Sequence, residues 1–478
     1  MDEMLISAIP QIEAMAQRTL QRHRLPGIAL GIVRNDELAW FGGFGRADLD
    51  EDAAPTADSL ARVASVTKTF TATAIVQLRD EGKLNLDDPL VKHIPEFSAV
   101  QIRAGSLEAV TLRRMLTHRA GLATEAPLDG WGALRFPTRD EILAALPETE
   151  VVIPQDSAWK YSNLAYGLLG EVIQRLSGQS YEAYIQSHLF DPLAISSATF
   201  DLDDVAKVGA SYGDTALRQS RLMTGYNPTP YQDRPEPAAY AHLQGIAAAG
   251  QLHASVADLA KWVSFQFRTA DGPRAGAQVL DGSSLTEMHR PQYIEADWSA
   301  GQCLGWRATR VGERVYHNHG GGIHGFGTQV IFNIPRRTGA ILFINMWPPH
   351  GGLNLAQEVL ELILSAGEAR VVVGELSEFT SVPEAYRRLL GTYCAAPGIW
   401  VNIEWRAGAL RLAPPEGKDY SLHAPAELVP TDNEREFRVC GGRGAGEKAV
   451  FRMDAESQML SYELGAFEFR KLTPRFNS

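Results

Sequence analysis

Ser65-Val66-Thr67-Lys68 constrains this chain more than any other stretch, because it sets a serine and a lysine three residues apart at the head of a long apolar run. On a helix that spacing stacks the two side chains on one face. Lys68 is the only charged residue between Ser65 and Gln77, and Val66, Phe70, Ala74 and Leu78 recur at every fourth position, the pattern of a core helix. A lysine placed there loses solvation on folding. Burial favours its neutral form, and a neutral amine accepts a proton from a nearby hydroxyl, which activates a serine without a histidine. The tetrapeptide also fits a plainer arrangement, a helix N-terminal serine followed by a snorkelling lysine. Ser157-Ala158-Trp159-Lys160 matches the same template, but it follows Pro154, has Asp156 beside it and reads as an exposed loop.

A chain of 478 residues is long for one domain, and 45% apolar residues suit a globular protein with a large core. The net charge of -12 argues against a nucleic-acid partner, and no apolar run is long enough to span a membrane. Met1-Asp2-Glu3-Met4 lacks a basic, then apolar, signal segment, so the expected compartment is the cytoplasm, or the periplasm had a leader been removed. Cys303, Cys394 and Cys440 make neither a disulfide framework nor a spaced metal cluster. His317, His319 and His324 lack a carboxylate or thiolate at ligand spacing, so no metal and no cofactor are expected.

Residues 2–24 read as an amphipathic helix, and the strands Ile28–Val33 and Leu38–Phe41 as a hairpin turning at Asn35-Asp36. Ser65 opens the apolar helix and Gly82 caps its end. Leu112–Leu116, Asn163–Leu176 and residues 253–267 carry further helical signals. The polar, turn-rich stretch 201–245 reads as a surface excursion of the kind that sometimes forms a lid. Strand patterns over 315–347 and a helix at Leu353–Leu364 precede a break in composition. Beyond it, Trp400–Glu404, Leu410–Leu412, Phe437–Val439, Val450–Met453 and Leu460–Leu464 alternate between turns, as in a small antiparallel sheet or barrel.

Three segments taken in order, Ser65–Lys68, Tyr161-Ser162-Asn163 and His319-Gly320-Gly321, resemble the motifs of the serine β-lactamase and penicillin-binding-protein superfamily. The similarity is greatest to its esterase-like and peptidase-like branch related to class C β-lactamases. Gly82–Pro89, the element Leu116-Thr117-His118-Arg119-Ala120-Gly121-Leu122, Gly305-Trp306 and Gly325-Phe326-Gly327 fall where that family places similar residues. A rival set, Ser157, Tyr316-His317-Asn318 and His350-Gly351-Gly352, also occurs in order, but it lacks these flanks. The resemblance implies an α+β fold, with an antiparallel sheet flanked by helices beside an all-helical lobe and the N-terminal hairpin sharing a sheet with the strands near 315–345. It divides the chain into a hydrolase domain, 1–370, a linker, 371–385, and a lipocalin-like β-domain, 386–478.

The resemblance also implies roles. Ser65 is the nucleophile that becomes acylated, with Lys68 and Tyr161 as its catalytic partners. A phenolate beside an ammonium is one candidate base and neutral Lys68 the other, and the residues leave that choice open. Asn163 would hydrogen-bond Lys68 or a substrate amide, although asparagine is also a common helix N-cap. The backbone N–H groups of Ser65 and Gly322 would form the oxyanion hole, and His319, Gly320 and Gly321 would line the substrate site. β-Lactamases place lysine where this chain has His319, and a histidine is mostly neutral at pH 7, so recognition of a substrate carboxylate weakens. The expected partner is therefore a small carboxylic ester, with short or D-amino-acid-containing peptides as the alternative substrates and a non-catalytic sensor or scaffold as the third reading. A homo-oligomer is compatible with the resemblance.

Overall fold

In the computed structural model, the helix Glu3–His23 (α1) leads into Gly27–Arg34 (β1), which turns back as Glu37–Gly45 (β2). Asn35 and Asp36 take φ of 50° and 78°, the positive values that let a two-residue turn follow the twist of its strands. The helices Thr67–Asp80 (α2), Asn163–Ser177 (α3) and Val256–Gln266 (α4) follow. After them come Tyr293–Ile294 (β3), Ala300–Gln302 (β4), Arg307–Val311 (β5), Arg314–Ile323 (β6), Phe326–Asn333 (β7), Thr338–Ile344 (β8) and the helix Leu355–Ala366 (α5). The structure describes residues 3–472 except 133, 202–220, 229–233, 272–277, 347–353, 367–381, 397–398, 407, 415–425, 442–443, 454–459 and 466. The chain divides into two compact units, residues 1–368 and 369–478.

The first unit is built on an eight-stranded sheet ordered β2-β1-β8-β7-β6-β5-β4-β3. The N-terminal hairpin joins it by antiparallel pairing from Ile28 opposite Ile344 to Arg34 opposite Thr338. Leu30, Ile32, Leu342 and Ile344 pack under Leu5 and Ile12 of α1 and Val359 and Ile363 of α5. On the other face Ala29, Val33, Ile341 and Phe343 meet Val256, Leu259 and Val263 of α4. Burial on both faces explains why β1 and β8 read as apolar runs rather than alternating strands.

Helix α2 is buried from Thr67 to Leu78. Thr69 and Thr73 satisfy themselves locally, Thr69 Oγ1 donating to Val66 O at 2.8 Å and Thr73 Oγ1 to Thr69 O at 2.9 Å, while Thr71 Oγ1 reaches Ala248 O at 2.7 Å. Self-contained hydrogen bonds of this kind let a helix carry hydroxyls through a core without unpaired donors. Phe70 stacks on Trp262 of α4 with ring centroids 3.9 Å apart, which ties α2 to the layer beneath the sheet.

The stretch 201–245 departs from a pure surface excursion. Residues 202–220 and 229–233 lie outside the described residues, but Met223 and Tyr226 are buried. Tyr226 donates its backbone N–H to Asn345 O at 2.9 Å and its hydroxyl to Asp48 Oδ1 at 3.1 Å. Proline-rich composition concealed this anchoring, because the partners are remote in sequence.

In the second unit, strands from Gly391–Ala396 to Phe467–Lys471 form a closed antiparallel barrel of eight strands. Tyr393 opposite Lys471 and Cys394 opposite Arg470 close it. Val401, Leu410, Val439, Phe451, Tyr462 and Phe469 fill the interior. Gly391–Ala396, Ala426–Pro430 and Phe467–Lys471 escaped the sequence reading.

Candidate active site

Ser65 does not begin the α-helix, as the sequence suggested. It sits at the centre of a 3-10 turn, Ala64–Val66, immediately before α2. Side chains at i and i+3 eclipse in such a turn, which aligns Lys68 with Ser65. Ala64, next to Ser65, holds φ of 48°, a left-handed conformation that costs a residue with a Cβ and that persists where the surroundings enforce it.

Lys68 is fully buried, and all three of its N–H donors are engaged. Nζ lies 3.1 Å from Ser65 Oγ, 2.8 Å from Asn163 Oδ1 and 2.7 Å from Ala249 O. Burial pulls its pKa down from 10.5 to about 7, partly countered by the Glu125 carboxylate. Near neutral pH the amine is therefore poised between its charged and neutral forms.

The phenol of Tyr161 faces the Ser65 side chain and its ring lies 4.8 Å from Lys68 Nζ. Burial pushes its pKa up to about 12, against the hydrogen bond to Ser65 and with the Glu125 charge. The phenolate considered from sequence is thus disfavoured, because desolvation outweighs the hydrogen bond with Ser65. His118 packs on Tyr161 with ring centroids 4.2 Å apart, and its Nδ1 accepts the backbone N–H of Ser162 at 3.2 Å. Burial and Lys68 hold the His118 ring well below the usual histidine range, so it is a neutral support.

Asn163 is not the helix cap. Ser162 caps α3, its Oγ accepting the N–H of Ala165 at 2.9 Å, so the Asn163 amide is free to span Lys68 and Glu125. Asn163 Nδ2 donates to Glu125 Oε1 at 2.6 Å, and Trp131 Nε1 donates to the same oxygen at 3.0 Å. Glu125, Trp131 and the Ala249 carbonyl were missed from sequence. Glu125 was the findable one, an acid four residues beyond Gly121 of the Leu116–Leu122 element.

The third motif lies on β6, paired with β7 from His317 opposite Phe332 to Ile323 opposite Phe326. A Cβ at Gly321 would overlap the Val63 carbonyl oxygen, so the strand passes directly against the turn that carries Ser65. Gly321→Ala is therefore expected to push β6 off the Ser65 turn, destabilise the fold by about 1–3 kcal/mol and lower activity by about 10²-fold. Urea unfolding and the rate of Ser65 labelling check it. His319 opens onto the cleft, with Nδ1 2.7 Å from Gly320 O and so carrying the proton. Burial and then Lys68 lower its pKa to about 4, leaving it neutral at pH 7.

Ser65, Tyr161, His319, Gly320, Gly321 and Gly322 line one cavity of about 490 Å³, with Trp159, Arg307 and Asn318 on its walls. Lys68 and Asn163 lie beneath and reach it through the Ser65 hydroxyl and the Lys68–Asn163 bond. The rival set does not assemble. Ser157 Oγ donates to Pro154 O at 2.6 Å while Lys160 Nζ donates to Thr124 Oγ1 at 2.6 Å. Tyr316 belongs to the core cluster under α1 and α5, and His350 lies outside the described residues. Among the described residues no cluster of histidine, cysteine or carboxylate side chains has metal-site geometry. No helix of the described residues is long and apolar enough to cross a membrane.

A sheet covered by helices, with a serine, a lysine and a tyrosine converging below a glycine strand, defines the serine β-lactamase and penicillin-binding-protein class of fold. The beta-lactamase family model matches residues 12–364, and the chain belongs to that family of serine hydrolases. It is similar to protein flp of Staphylococcus aureus (strain MW2), 25% identical over 348 residues that cover 70% of this chain and 63% of flp. Beta-lactamase-like protein 2 of Dictyostelium discoideum is 30% identical over 301 residues, covering 61% of this chain and 50% of that protein. The matches thus span less than two thirds of the length of these relatives. Among solved structures, the octameric penicillin-binding protein homologue from Pyrococcus abyssi shares the fold at a TM-score of 0.63. The two are 21% identical, and the match covers 97% of this chain and 100% of that one.

Proposed function

We propose that this protein hydrolyses carboxylic esters through an acyl-enzyme on Ser65. The observation that carries the reading is the buried Lys68 amine, 3.1 Å from Ser65 Oγ and with a pKa near 7. Neutral Lys68 takes the Ser65 proton as Oγ attacks the carbonyl carbon. The backbone N–H groups of Ser65 and Gly322 receive the oxyanion. The Tyr161 phenol, protonated at neutral pH and facing Oγ, passes a proton to the leaving alkoxide as the carbon–oxygen bond breaks. Lys68 returns its proton to the Tyr161 phenolate, which restores the neutral amine. Water then attacks the acyl carbon and gives a proton to that amine, and Lys68 passes it to Ser65 Oγ as the acyl–oxygen bond breaks, releasing the acid and the starting enzyme.

A neutral His319 supports the preference for esters over penicillins. It offers a substrate carboxylate no fixed charge, whereas a lysine there would. The runner-up is an amidase or peptidase for short or D-amino-acid peptides; Arg307 on the cavity wall is already paired with Glu295, so a terminal carboxylate would have to share that guanidinium. The test is a panel of an aryl ester, a chromogenic cephalosporin and a D-aminoacyl anilide. The aryl ester is expected to show the highest kcat/KM, by at least about 10-fold. A faster anilide would move the assignment to a peptidase, and a faster cephalosporin to a lactamase.

A further inference from the structure

Glu125 stands at the far end of a hydrogen-bonded chain that starts at the nucleophile. Ser65 Oγ meets Lys68 Nζ at 3.1 Å, Lys68 Nζ meets Asn163 Oδ1 at 2.8 Å, and Asn163 Nδ2 meets Glu125 Oε1 at 2.6 Å. An asparagine amide is two-faced. Turned over, it would aim an N–H group at a lysine whose donors all point outward, and the contact would be repulsive. A carboxylate accepts only, so Glu125 dictates which way Asn163 faces. Trp131 Nε1 binds the same carboxylate oxygen at 3.0 Å and keeps Glu125 in place. The Trp131 ring in turn packs against Phe136 and lies 6.1 Å from the His324 ring at the β6–β7 turn.

We propose that Glu125 is the positioning residue for the activation of Ser65, fixing the Asn163 amide and supplying, among the described residues, the carboxylate that acts on the buried lysine. The other groups around Lys68 are Tyr161 and Tyr166, whose ring centroids lie 4.8 and 5.4 Å from Nζ, together with His118 and His319. Burial keeps both tyrosines protonated and both histidines neutral around pH 7, so none of them supplies a compensating negative charge. Among the described residues, Glu125 is the charged group that raises the proton affinity of Lys68. It therefore sets the pH at which the amine becomes a base.

The proposal rests on Ser65 being the nucleophile, and the experiment separates the two. The rate of Ser65 phosphonylation by a fluorophosphonate probe, read by mass spectrometry, is followed from pH 5 to 9 for the wild type, Glu125→Gln and Glu125→Ala. In the wild type the rate rises with a midpoint near 7. Glutamine keeps an acceptor for Asn163 and Trp131 but removes the charge. Lys68 then holds its proton less tightly, and the midpoint moves to lower pH by about half a pH unit or more. Alanine also releases the Asn163 amide, so its plateau rate falls by about 10-fold or more, which glutamine largely restores. A purely structural role would lower the plateau of both variants without moving the midpoint. Unmoved midpoints with Ser65 labelled overturn the Glu125 proposal alone. Absence of any adduct on wild-type Ser65 overturns the functional reading and this proposal with it.

Discussion

Ser65→Ala is expected to abolish the fluorophosphonate adduct and to cut ester turnover by at least about 10³-fold, the scale seen when an activated nucleophile is removed. The fold should survive. Ser65 is half-buried, and it loses one of the three hydrogen bonds made by Lys68 and the one with the Tyr161 phenol, so stability should change by about 1–2 kcal/mol. Thermal melting monitored with the labelling assay separates loss of chemistry from loss of structure. An adduct that persists in the variant, or one that maps to Ser157, would remove Ser65 from the mechanism.

Lys68→Met should be as damaging to turnover, by about 10²–10⁴-fold, since general-base assistance is lost while a side chain of similar length still fills the site. It should also change how stability depends on pH, and here the sign is set by linkage. The Lys68 pKa is about 7 in the folded protein against an ordinary value of 10.5. Between those values the unfolded chain holds a proton that folded Lys68 has released, so this group makes stability rise with pH. Below the folded value both states are protonated, the full cost of burying the charge is present, and the slope vanishes. Within the window the slope approaches about 1.4 kcal/mol per pH unit. Denaturant unfolding at pH 6, 7.5 and 9 should therefore show wild-type stability gaining on Lys68→Met as pH rises. Parallel curves would mean that the buried lysine keeps its ordinary proton affinity, and the proposed base would be lost. The absolute offset between the two proteins is a separate matter, because methionine also leaves Asn163 Oδ1 and Ala249 O without their donor.

Much of the scaffold was legible because its signals are local. Asn35-Asp36 between apolar runs announces a hairpin, and the hairpin forms there. Gly82 takes φ of 72° where the apolar period of α2 stops, as a helix-ending glycine does. Other contacts needed the fold, because their partners lie far along the chain. Asn163 had two readings, a helix cap or a partner of Lys68; Ser162 takes the cap and the asparagine meets Lys68. Glu125 went unread in the sequence, because what gives it a role is the fold bringing it against Asn163, 38 positions away.

The same division runs through the active site. Sequence by itself pointed to Ser65 and Lys68 meeting, because i and i+3 are neighbours once a local apolar run makes the segment helical, a condition the Ser157–Lys160 loop does not meet. It also determined that a glycine strand with histidine at its head stands in the third motif, and hence the family. Only the tertiary structure decided the protonation of the site. Whether a lysine is an ammonium or a base, and whether a tyrosine is a phenol or a phenolate, depends on desolvation and on charges that arrive from other elements. Those elements here are the Glu125 loop, the Ala249 carbonyl and β6 with His319. Desolvation is a property of the whole surrounding volume, so no four-residue motif can encode it.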